Sequence, residues 1–176
     1  QWVNGGKYRH LFCGYYDNTP FCAANEDLLL VHLTNASLMH SPDGSLPLSV
    51  GILNWKTGAI QELGQTYAWN WQQGCRALWL ADGRWIFNRY DKELGEYVAE
   101  IGSVDVDERL IIPHPVQEVS PDGSYFSIDY SILARLRPDY GYFCKTPSAT
   151  PGSGSIVQCL ASHDEPAKSL VTAEEL

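Results

Sequence analysis

The sequence predicts an all-β fold built from about three repeated units of short antiparallel strands. Three observations carry this expectation. Short apolar runs bounded by turn residues recur along the chain, whereas no 3.6-residue apolar period extends beyond about ten residues. The same strand-entry pattern returns once per unit, as NEDLLLV at 25–31, ADGRWIF at 81–87 and PDGSYFS at 121–127. Tight hairpin sequences follow each of them, at 56–58, 106–108 and 162–164.

Taken in order, residues 10–17 open the first unit, and an apolar strand at 28–33 follows the turn at 25–27. A polar loop spans 35–46, its SPDG at 41–44 supplying strong turn chemistry. Strands at 50–55 and 59–63 flank the turn at 56–58. In the second unit the expected strands are 73–80, 84–90, 97–104 and 109–112, the last one outermost, with turns at 81–83, 91–96 and 105–108. The third unit opens at residue 116, turns at 120–123 and continues as a strand at 125–130. A long loop is expected over 134–155, strands over 156–160 and 167–171, and a terminal helix from 172 to 176 capped by Thr172.

Units of about 40 to 55 residues with four short strands are the pattern of β-propeller blades, here 10–66, 67–113 and 114–171 within a single domain 1–176. The alternative is an all-β sandwich whose hairpins merely look alike. Propellers typically close with about 4 to 8 blades, so three blades are half of a six-bladed ring. The ring is completed either by further segments of a longer protein or by self-association into a homodimer, because open blades expose apolar faces and unpaired edges.

Composition narrows the function. With 44% hydrophobic and 19% charged residues in 176, the chain has the makings of a globular core. A net charge of −9 repels phosphate backbones and argues against nucleic acid as a partner. No apolar run approaches the ~20 residues of a membrane-spanning helix, and no leader pattern is present, although a chain beginning with Gln1 leaves a removed leader open. Five cysteines at irregular spacing without CxxC read as free thiols in a reducing compartment, which suggests the cytoplasm. Cys13, three residues from His10, is the one candidate thiol nucleophile.

The densest chemistry lies in AWNWQQG at 68–74, with HLFCGYYD at 10–17 and HPVQE at 114–118 opening the neighbouring units. Segments that enter the innermost strand of a blade sit at the channel mouth, so these three openings are expected to converge. Trp69 and Trp71 offer flat faces for sugar stacking, Asn70, Gln72 and Gln73 paired donors and acceptors for hydroxyls, and Tyr16 a further aromatic. The competing reading packs the indoles between blades and spends the amides on loop backbone. His10 and His114, with Gln73 or Gln117, are weak candidates for part of a metal site; Asp17 is a candidate acid or base, or a turn cap. Arg135, Arg137 and Tyr140 form a basic and aromatic cluster suited to a carboxylate or phosphate, or to loop-pinning salt bridges.

HLFCGYYD, WNWQQG at 69–74, SPDG at 120–123 and LRPDYGY at 136–142 together resemble an uncharacterised bacterial family of six-bladed propellers, similar in turn to TolB-like and oligogalacturonate-lyase-like propellers. The resemblance spans nearly the whole chain and implies a propeller fold with WD40-like repeats more firmly than an activity. The lyases of that wider group use a manganese site in blades beyond this chain, so no ligand is carried over. The expected function is a carbohydrate-associated propeller that binds or acts on a saccharide, uronate-containing by this resemblance; an enzyme of this kind would be a polysaccharide lyase or glycoside hydrolase. The alternative is a non-catalytic TolB-like scaffold for a peptide or protein.

Overall fold

A computed structural model describes residues 2–4, 7–145, 155–159 and 168–172, and arranges them as three antiparallel sheets. The first comprises β1 (Trp2–Asn4), β2 (His10–Phe12), β3 (Phe21–Cys22), β4 (Asn25–Thr34), β5 (Leu48–Asn54) and β6 (Ala59–Thr66), in the order β1-β6-β5-β4-β2 with β3 also on β4. The second runs β10-β9-β8-β7, from β7 (Leu78–Trp79), β8 (Trp85–Asp91), β9 (Glu96–Gly102) and β10 (Arg109–Ile112). The third runs β11-β12-β13-β14, from β11 (Glu118–Val119), β12 (Tyr125–Ile128), β13 (Ser155–Cys159) and β14 (Lys168–Thr172). A single helix among the described residues, α1 (Tyr130–Leu136), follows β12.

The repeated turns have a common cause. In the second sheet Leu80 N–H donates to Arg84 O at 2.7 Å and Gly83 N–H to Leu80 O at 3.0 Å; in the third, Ser120 N–H donates to Ser124 O at 2.7 Å and Gly123 N–H to Ser120 O at 2.9 Å. Asp82 and Asp122 each accept the backbone N–H two residues on, and the glycines take φ of 83° and 87°, a region that favours glycine.

The sheets pack face against face. On β8, Trp85 and Phe87 lie in a cluster with Leu30, Val50, Ile52 and Leu63 of the first sheet, while Ile86 joins Val116 and Tyr125 on the side of the third. A strand buried on both faces reads as a continuous apolar run, as 85–87 does. The far face of the first sheet buries Val31, Leu33 and Ile60 with Tyr8 and Cys13.

Two expected strands are corrected. The strand expected over 73–80 is only β7 at Leu78–Trp79. Before it, Asn70 and Gly74 exchange backbone hydrogen bonds at 3.1 and 3.0 Å and Asn70 Oδ1 accepts Gln73 N–H at 2.7 Å, so the backbone is satisfied locally and does not enter a ladder. The strand expected over 125–130 stops at Ile128, and α1 begins within it and runs into the expected loop. Asp129 caps α1, accepting Ser131 N–H at 2.9 Å and Ile132 N–H at 3.1 Å. Thr172 ends β14; the helix expected after it and the hairpin at 162–164 lie outside the described residues. Among the described residues no helix is long and apolar enough to cross a membrane.

Candidate functional site

The β4 edge of the first sheet is split between two short strands. β2 pairs with residues 32–34 of β4 and β3 with its beginning, and between them residues 13–20 leave the sheet. This excursion carries Tyr15, Tyr16 and Asp17 to the second and third sheets. The meeting point is Arg76, whose side chain is 1% exposed. Its Nη1 donates to both Asp17 carboxylate oxygens at 3.2 and 3.0 Å. Its Nε and Nη2 donate to Gln117 O at 2.9 and 2.5 Å, and Nη2 also to Glu118 Oε2 at 3.3 Å. One planar five-donor fork thus joins the openings of all three sheets. Arg76 adopts φ 53°, costly for a non-glycine residue, and the surrounding hydrogen bonds hold it there. The two carboxylates remain 38% and 49% exposed, so each keeps acceptor capacity facing solvent.

Beside this cluster stands an aromatic ledge. Tyr15 packs on Tyr16 with ring centroids 4.2 Å apart and meets Tyr140 edge-on at 6.1 Å, their hydroxyls 3.2 Å apart. That hydrogen bond is the main cause that raises the Tyr15 phenol above its ordinary range, so the hydroxyl stays protonated. Tyr16 is 88% exposed. Arg137 lies over the Tyr140 ring at 5.1 Å, within reach of Asp139 at 3.4 Å. The structure therefore brings together Tyr16, Asp17, Arg137 and Tyr140 of the expected site residues.

The others are distributed differently. Trp69 is 1% exposed, in the cluster between the first two sheets, with its indole N–H on Leu46 O at 2.9 Å, so it has no face open for stacking. Asn70 is also buried, and donates to Tyr140 O at 2.8 Å, which ties the ledge to the tight loop. Trp71 is half-buried against Trp69, Phe12 and His10 and donates to His40 O at 2.9 Å. Gln72 is exposed, whereas Gln73 is buried with Oε1 unpartnered. His114 lines a cavity beside Tyr130, with no hydrogen bond or ring contact to His10. Arg135 is exposed in the last turn of α1. No group of three or more His, Cys, Asp and Glu comes together among the described residues. Cys13, Cys22, Cys75 and Cys144 are free, and burial raises the Cys13 thiol, which works against a nucleophilic thiolate.

Buried polar contacts underpin the site. Asn88 on β8 donates to Val116 O at 2.8 Å and accepts Val116 N–H at 2.7 Å, which fixes the segment entering β11. Tyr130 stacks on Tyr142 at 4.0 Å and donates to Gln117 Oε1 at 2.6 Å, holding the residue whose carbonyl meets Arg76. His32 Nε2 accepts Cys75 N–H at 3.3 Å beneath the tight loop, and a Cβ on Gly74 would stand 2.4 Å from its ring. Burial lowers His32 to about 4, so the ring is neutral and serves as an acceptor.

The sequence reading passed over Arg76, Tyr15 and Tyr130. The available signal for Arg76 was one charge inside the apolar run 75–80, which a buried position can hold only if paired. Set against family models, curated proteins and solved structures, the chain matches none.

Proposed function

We propose that the chain forms three consecutive β-propeller blades and binds a saccharide where Tyr15, Tyr16 and Tyr140 flank the Asp17–Arg76–Glu118 cluster. The observation that carries this reading is a part-exposed tyrosine ledge, open at Tyr16, beside two part-exposed carboxylates held by one buried guanidinium. Sugar rings present apolar C–H faces that pack on aromatic rings and hydroxyls that donate to carboxylates. Arg137, and Arg135 on the same segment, supply guanidinium groups for a uronate carboxylate. The ring is completed by a second copy or by further blades of a longer chain.

Titration of a glycan panel by calorimetry tests the binding. Tyr16→Ala should weaken the saccharide bound by the wild type about tenfold, the effect of one aromatic contact of about 1.4 kcal/mol. Its exposure leaves folding unaffected. An absence of saccharide binding together with a stable peptide or protein partner would favour the TolB-like scaffold instead. Ring closure by two copies predicts a native mass of twice 19.7 kDa by light scattering, and a stable monomer would refute that closure.

A further inference from the structure

We infer that the cavity beside the mouth, between the second and third sheets, binds a single neutral sugar unit; this rests on the saccharide reading above. Its volume is about 170 Å³, and cavities of about 150 Å³ hold a six-membered ring. The connector at 113–115, the end of β12, the start of α1, the start of β9 and Lys145 line it. Its place follows from strand direction. β11 begins at Glu118, on Arg76, and Ile128 at the end of β12 lies beyond the pairing of Glu118 with Phe126, so cavity and mouth share one end of the sheets.

The chemistry of the lining selects the ligand. Lys145 is ion-paired with Glu96, so these two charges cancel. Asp129 Oδ1 is occupied by Ser131 N–H, Ser131 Oγ–H and Ile132 N–H. The Tyr97 hydroxyl accepts Cys144 N–H at 3.0 Å and Lys145 N–H at 3.1 Å. Two groups keep capacity for a ligand: the second carboxylate oxygen of Asp129, and the His114 imidazole, which makes no hydrogen bond or ion pair with another described residue. In sequence His114 stands between Pro113 and Pro115, and it shares the lining with Tyr97 and Tyr130. A mainly polar lining, with an uncommitted imidazole and the Asp129 carboxylate as hydrogen-bonding groups, suits the hydroxyls of a polyol ring, and with no unmatched cation it leaves a ligand carboxylate without a counter-charge. The Tyr130 hydroxyl, on Gln117 Oε1, links this cavity to the Arg76 cluster.

The experiment titrates the isotope-labelled chain with neutral trisaccharides of glucose, galactose and mannose, and with trigalacturonate, and follows backbone amide signals. At least one neutral trisaccharide should move signals at 114–117 and 127–131 together with that of Tyr16. His114→Ala should weaken its binding about tenfold while leaving the denaturation midpoint unchanged. Shifts confined to Tyr15, Tyr16 and Tyr140, with His114→Ala binding as the wild type does, would overturn the cavity site and leave the mouth reading standing. Tighter entry of trigalacturonate into the cavity would overturn the neutral class. Failure of every sugar to bind would overturn both readings.

Discussion

His32 should make the fold acid-labile through one proton. Its ring is fully buried, stacks on Phe12 at 5.0 Å and accepts Cys75 N–H, a bond that requires Nε2 to be deprotonated. Burial lowers its folded-state value from 6.5 to about 4, against the opposing pull of the Cys13 and Phe12 backbone. The unfolded chain therefore binds more protons than the folded one between these limits. Stability from this group is complete above pH 6.5 and is lost as pH falls towards 4. The gap corresponds to about 3 kcal/mol at full protonation, and about 2 kcal/mol at pH 5. Urea denaturation of the wild type and of His32→Gln at pH 7 and pH 5 isolates the term, because the other titrating groups are common to both. The wild type should lose about 2 kcal/mol more than the variant over that interval. Equal losses would refute the reasoning, as would a His32 ring signal that titrates near 6.5 in the folded wild type.

Two further perturbations test the framework. Gly102→Ala places a Cβ 2.2 Å from the buried Trp85 ring, which cannot shift within the packed layer, and should destabilise by about 2 kcal/mol or more. Gly95→Ala, where a Cβ meets nothing within 4 Å, should cost only the strain of its φ of 70°, about 1 kcal/mol, and equal losses in thermal denaturation would contradict the packing argument. Arg76→Met removes all five donors from Asp17, Gln117 and Glu118. With both carboxylates part-exposed the loss should be about 2 kcal/mol, below that of a fully buried pair. A change under about 0.5 kcal/mol by chemical denaturation would show that Arg76 does not tie the sheets.

The two Asp-Gly turns were legible because their signals are local. An Asp-Gly turn that bonds its own backbone, as at Asp82-Gly83 and Asp122-Gly123, behaves alike wherever the chain carries it. The helix over 130–136 had a legible cap in Asp129 but only seven residues of pattern, too short for periodicity to separate it from a strand. At the site, Tyr16 was legible as an aromatic in the opening 10–17 and Tyr140 as part of the cluster with Arg135 and Arg137, whereas Trp69 and Asn70 were not separable from them. Whether an indole faces solvent or the next sheet depends on what packs around it, and Trp69 shares its core cluster with Leu30, Val50 and Phe87, residues distant in sequence.

The sequence by itself determined the antiparallel strands, their turns and the acidic, aromatic character of the openings, because these follow from residue type and short spacing. Only the tertiary structure decided that Arg76 lies among Asp17, Gln117 and Glu118, that Trp69 is core and that His32 is neutral. Each of those depends on which long-range partners exclude water from a side chain, and burial sets both a charge's cost and an aromatic's availability.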